Sequence, residues 1–284
     1  SWVPYLVLND LFPDWNMWEQ FAAADLTIGM RADSLENTHP IVVQINSPSE
    51  IRSAFDSISY DKGCSVINLL FHYIGADAFR EGLRTYLKRH AYANAETKDL
   101  WAAWSEASGR DVEGFMDAWT TKKGFPILTV SSSDNSLLKL TQQRFFLNPR
   151  HTSDTTVWPV PLMRSATDTS VLDSKSATIE GVAKLNSGQS GFYRAIYDGT
   201  IKDSVLPSIA SGLLTPVDSL GFLGDAAEAA KAGYHSTIEA LSIIKTVSQT
   251  QNEPLFGSAL SELSSIRTVL NDTYEPLKKF TGDF

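Results

Sequence analysis

Apolar positions recur at helical spacing over the first 125 residues or so of the chain, and short punctuating residues break the pattern into separate helices. Ser1-Trp2-Val3-Pro4-Tyr5-Leu6-Val7-Leu8 reads as the middle of an apolar helix. Ser47-Pro48-Ser49-Glu50 has the form of a capping box: Ser47 to accept free amides, Pro48 where its missing N–H costs nothing, and Glu50 to reach back. Ile51, Phe55 and Ile58 then share a predicted helical face. Residues 65–74 are apolar enough for a central helix stopped by Gly75, and Phe79, Leu83, Tyr86 and Leu87 mark the next amphipathic face. Thr97 is placed to cap a helix carrying Leu100, Trp101 and Trp104 and ending at Gly109; Asp111 is placed to cap one carrying Phe115, Met116 and Trp119.

At Gly124-Phe125-Pro126 the period changes. Residues 127–130, 137–146, 155–162, 177–183 and 191–197 are β-rich runs, separated by turn chemistry at Ser131-Ser132-Ser133-Asp134-Asn135, Asn148-Pro149-Arg150 and Asn186-Ser187-Gly188. Several short strands in so small a span predict a small antiparallel β-sandwich. Beyond Asp198-Gly199 the pattern is helical again, notably over 225–232 and 236–247, with Pro207, Pro216 and Pro254 at helix starts or breaks. The expected architecture is a multi-domain α+β chain. Its parts are a helical segment over 1–125, the sandwich over 126–205, and the beginning of a stacked-helix domain over 206–284.

Composition narrows the function classes. The 284 residues carry 24 Lys and Arg against 33 Asp and Glu, a formal charge of −9, so no basic field draws nucleic acid. The single cysteine, Cys64, has no internal disulfide partner, and no apolar run approaches the ~18 residues of a membrane span. A reducing, cytoplasmic setting is expected. His39, His72, His90, His151 and His235 include no His-x-x-x-His pair, so no metal ligands are expected from this chain. Gly188-Gln189-Ser190-Gly191 lacks the spacing of a nucleophile elbow, and no phosphate-binding glycine loop occurs. Asn271-Asp272-Thr273 is a glycosylation sequon by letter only. One segment stands out chemically, Phe55-Asp56-Ser57-Ile58-Ser59-Tyr60-Asp61-Lys62-Gly63. Its Tyr60 phenol could donate a hydrogen bond into a cleft, or could be an ordinary helix tyrosine with a wet hydroxyl.

That segment belongs to an ordered series. Asn37-Thr38-His39-Pro40-Ile41, the Tyr60 segment, Gly124-Phe125-Pro126, Gln143-Arg144-Phe145 and Ser190-Gly191-Phe192-Tyr193-Arg194 occur in the order seen in gluzincin aminopeptidases. The chain resembles the puromycin-sensitive and alanyl type, its fungal cytosolic members in particular. The resemblance implies a thermolysin-like catalytic domain whose helical end is residues 1–125, followed by the sandwich and a large helical domain. It implies a zinc enzyme that hydrolyses the amino-terminal residue of peptides.

In that family Tyr60 matches the tyrosine that stabilises the oxyanion, and Phe55 matches an aromatic that lines the pocket for the substrate's first side chain. The family's zinc ligands lie in a His-Glu-x-x-His helix and a later glutamate, just before a stretch like Ser1-Trp2-Val3. The chain is therefore expected to be a fragment without zinc of its own, inactive alone, whose partners are peptide substrates and the remaining parts of the same protein. Trp2, Val3, Leu6 and Val7, together with Leu263, Ile266 and Leu270, are expected to leave apolar faces open. The competing expectation is a noncatalytic scaffold whose sandwich and helices bind another protein.

Overall fold

The computed structural model describes residues 2–133, 137–148, 153–165, 167–181, 184–249 and 252–270, with backbone alone over 267–270. Asp134, Asn135, Pro149, Arg150, His151, Ala183 and the Asn271-Asp272-Thr273 sequon lie outside the described residues, as do the side chain of Leu270 and the turns expected at those positions.

The first part is helical: α1 (Trp2–Leu11), α2 (Met17–Phe21), α3 (Thr27–Asp33), α4 (Gly63–Ile74), α5 (Ala76–Arg89), α6 (Thr97–Ser108) and α7 (Val112–Thr120). Two π-helical turns interrupt it, Ala22–Leu26 between α2 and α3 and Ile58–Lys62 leading into α4. The punctuation acts largely as expected. Gly75 and Gly109 end their helices at positive φ, and Asp111 Oδ1 accepts the Gly114 amide at 2.9 Å. Ahead of α6 the Glu96 amide donates to the Asp99 carboxylate at 2.7 Å, so the cap begins one residue before Thr97.

The region after Ser47 differs from expectation. It forms a 3-10 helix, Pro48–Ala54, in which Ser47 caps nothing; its hydroxyl donates to Glu50, and Glu50 takes the Asn46 amide at 3.0 Å. Because the segment is 3-10 and bends at Phe55, Ile51 and Phe55 are exposed while Ile58 is buried, and the three share no face.

The expected antiparallel sandwich is also corrected. β1 (Pro126–Ser132), β2 (Leu137–Arg144), β5 (Ser176–Glu180) and β6 (Arg194–Tyr197) form a mixed sheet in the order β5-β2-β1-β6. The β1/β2 and β2/β5 pairs are antiparallel, but β1 and β6 are parallel, with Ile127 opposite Arg194. A separate two-stranded ribbon joins β3 (Val160–Pro161) to β4 (Val171–Leu172). Within the predicted 155–162 strand only Val160–Pro161 pairs with another strand; ahead of it side chains take the backbone groups, Gln142 both those of Trp158 at 3.0 Å each, Lys122 the Val157 carbonyl at 3.0 Å and Trp119 the Pro159 carbonyl at 3.2 Å.

The third part comprises α8 (Gly199–Ala210), α9 (Pro216–Lys231), α10 (Thr237–Val247) and α11 (Glu253–Leu270). Pro216 opens α9 after the Thr215 cap, whereas Pro207 lies within α8 rather than at a break. One apolar core runs through all three parts. Phe125 packs on Phe145 and Phe192, Phe145 packs on Tyr234, and Trp119 meets Trp158.

Candidate functional site

Tyr60 occupies the middle of the Ile58–Lys62 turn, and the sequence before it explains why that turn is wide. Asp56 Oδ1 accepts the amides of Ile58 and Ser59 at 3.0 Å each, and the Tyr60 amide bonds the Asp56 carbonyl at 3.0 Å. One side chain thus satisfies two amides that a helix start leaves without backbone partners. At the other end the Gly63 amide reaches back to the Ile58 carbonyl, the five-residue span of a π turn. Gly29 of α3 lies so near that a Cβ there would fall 2.8 Å from the Lys62 amide nitrogen, so only glycine allows this approach.

Two ion pairs brace the segment. His39 Nε2 lies 2.6 Å from Asp56 Oδ2, and His39 Nδ1 lies 2.8 Å from the Pro40 carbonyl oxygen. Behind Tyr60 the fully buried Lys62 ammonium meets Asp33 Oδ2 at 2.8 Å and donates to the carbonyls of Lys122 and Gly124 at 3.1 and 3.2 Å. Asp33 Oδ1 in turn accepts the Gly124 amide and the Thr38 hydroxyl, each at 2.9 Å. Gly124 has φ +83°, and a Cβ on it would strike the Arg144 guanidinium, which pairs with Asp154 at 3.0 Å. Arg194, over the Phe145 ring, pairs with Asp225 at 3.0 Å. Polar links therefore join the first three of the separated motifs around Tyr60 and the start of the sheet, and the motifs of Arg144 and Arg194 meet them through the Phe125 ring, which packs on Phe145 and Phe192.

The Tyr60 ring is 49% exposed and borders a groove of about 410 Å³. Ser59, Cys64, Ile41, Trp101 and Met116 also line it, and its wall is mainly apolar. Phe55 is 63% exposed and stands beside Tyr60, ring centroids 6.1 Å apart, but is not on the groove wall. The structure thus brings the two sequence candidates together at the rim and gives only Tyr60 a place on the groove. Cys64 is no nucleophile at neutral pH: burial, with Asp25 and Asp61 nearby, pushes its thiol up to about 12. Asp61 is also raised, by burial and by the neighbouring Asp25 carboxyl, against a hydrogen bond from Ser57.

Sequence reasoning singled out Tyr60 and missed His39, Asp56, Asp33 and Lys62 as its supports. All four stand in or beside the quoted motifs, but their pairing is a three-dimensional fact. His72 Nδ1 lies 2.9 Å from the Asn68 carbonyl and His235 pairs with Glu239, so neither joins this site. Among the described residues, no group of three or more His, Cys, Asp or Glu is placed to hold a metal ion. The residues described here do not make a zinc centre.

Residues 1–119 match the Peptidase family M1 domain and residues 182–284 match the ERAP1-like C-terminal domain. Among curated proteins, Aminopeptidase 2 of Candida albicans is 35% identical over 298 residues, an alignment covering 100% of this chain and 32% of that protein. The Puromycin-sensitive aminopeptidase of Caenorhabditis elegans is 35% identical over 302 residues, covering 98% of this chain and 32% of the relative. Tricorn protease-interacting factor F2 of Thermoplasma volcanium is 35% identical over 268 residues, covering 94% and 34%. The chain spans about a third of the length of the curated relatives it matches.

Proposed function

The chain belongs to peptidase family M1, and from that premise we propose that it is part of a zinc aminopeptidase that releases the amino-terminal residue of peptides. The observation that carries the proposal is the half-exposed Tyr60 phenol on an apolar groove, its backbone fixed at both ends, within the stretch that matches the M1 domain. A phenol so held can donate a hydrogen bond to a scissile carbonyl oxygen as that oxygen gains charge, with little reorganisation during reaction. Phe55, beside it, supplies an aromatic surface for the substrate's first side chain. Zinc for the whole protein would have to be held by residues other than those described.

Residues 1–125 are read as the helical end of the catalytic domain, 126–205 as the sheet domain and 206–284 as the start of the helical domain. The rest of the same protein is this chain's partner, and peptides are its substrates. A cytoplasmic setting accords with the buried free thiol of Cys64. No helix among the described residues is long and apolar enough to cross a membrane.

The test uses the full-length, zinc-loaded protein with an aminoacyl anilide and the same substrate acetylated at its amino group. The expected result is hydrolysis of the anilide bond only in the substrate whose amino group is free, lost on chelation and regained with zinc. A zinc-loaded protein that cleaves neither would favour the scaffold instead.

A further inference from the structure

Resting on that reading of Tyr60, we infer that His39 and Asp56 are positioning residues: the imidazole anchors the carboxylate that caps the turn bearing the phenol. Both ring nitrogens of His39 face acceptors, Asp56 Oδ2 at 2.6 Å and the Pro40 carbonyl at 2.8 Å. Only the imidazolium donates at both nitrogens; either neutral tautomer turns a lone pair toward one of the two oxygens. Asp56 divides its work between its oxygens. Oδ2 is held by His39 across seventeen positions of sequence, and Oδ1 holds the Ile58 and Ser59 amides at 3.0 Å. Tyr60 follows immediately, so the direction of its Cα–Cβ bond depends on that cap.

The arrangement is sensitive to pH. The charged groups acting on His39 are Asp56 in front of it and Asp33 at the end of α3. Burial favours the neutral ring but is outweighed by the Pro40 carbonyl and the Asp56 carboxylate, so the His39 pKa is raised above 6.5. Burial likewise opposes ionisation of Asp56, and the Ser59 amide and His39 outweigh it, so the Asp56 pKa is lowered from 3.8. The charged pair therefore exists between these two values. It is lost at the alkaline side as pH rises through the folded His39 pKa, and at the acid side as pH falls through that of Asp56.

Amide exchange at Ile58 and Ser59 in the 284-residue chain, corrected for the intrinsic pH dependence of exchange, tests the inference. Protection should fall about fivefold to tenfold as His39 deprotonates. His39→Gln keeps one donor toward Asp56 without titrating, so its profile should be flat over the same range; Asp56→Asn should exchange faster wherever wild-type Asp56 is ionised. Wild type and His39→Gln sharing one pH profile, or Asp56→Asn leaving exchange unchanged, would overturn the positioning role. In the full-length enzyme His39→Gln should remove the alkaline His39 limb from kcat with KM unmoved. If exchange responds to His39 while Tyr60→Phe leaves kcat intact, the catalytic reading of Tyr60 fails and the cap stands. If Tyr60→Phe lowers kcat while exchange ignores His39, the inference alone fails.

Discussion

Lys62 lies two residues beyond Tyr60 and carries its charge into a site with no exposed surface, between Asp33 and the carbonyls of Lys122 and Gly124. A buried charge is tolerable only when its counterion and hydrogen bonds are complete, and here one ammonium joins the Tyr60 turn to the entry of the sheet. Lys62→Met is expected to leave the Asp33 carboxylate without a counterion and to cost about 3–5 kcal/mol of stability. Urea unfolding followed by far-UV dichroism measures this. Adding Asp33→Asn to Lys62→Met should recover part of the loss, because the stranded charge is then gone. A single variant as stable as wild type would mean that the pair does not hold the turn.

At the scale of elements, α1 has two unlike faces. Trp2, expected to be open, is buried at 4% exposure: its indole N–H donates to Asn68 Oδ1 at 2.9 Å and its ring packs on Phe71 and Phe79. Val3, Val7 and Leu11 are exposed on the same helix, continuing into Phe12 and Trp15. Leu263 and Ile266, expected at an open end, are instead buried. The α1 face is therefore the patch expected to drive association, and light scattering of the chain should show species larger than a monomer. Val3→Lys with Val7→Glu should reduce them; a clean wild-type monomer that binds little hydrophobic dye would contradict the expectation.

The same elements show what a sequence reveals. Helices closed by Gly75 and Gly109, and the one opened by Asp111, are readable because their stop and cap chemistry is local. The parallel β1/β6 pair is not, since alternation is identical for either strand direction. The π turn is not either, because a helical period does not reveal one extra residue per turn and its cap is a side chain. Tyr60 was found through its motif, whereas its brace, His39, sits seventeen positions away from Asp56 and becomes visible only once the chain is folded.

Across the whole molecule, polar links tie the first helices to the last. Arg31 of α3 bonds Glu228 of α9 at 3.2 Å and Glu262 of α11 at 3.4 Å, Lys231 pairs with both glutamates, and Asn252 donates to Glu19 at 3.2 Å. A cavity of about 120 Å³ lies among them, also lined by Arg194. These links and the aromatic core through Phe125, Phe145 and Tyr234 make the Tyr60 groove part of a framework that reaches α11. The most direct test of the account is the turnover of Tyr60→Phe in the full-length, zinc-loaded protein, read as kcat and KM on an aminoacyl anilide beside the melting temperature. The ring and its packing remain and only the donor goes, so kcat should fall roughly 100- to 1,000-fold with KM and melting temperature little changed. Turnover within about threefold of wild type, with any loss confined to the ~0.5–1.5 kcal/mol of stability that an ordinary hydroxyl hydrogen bond contributes, would contradict it.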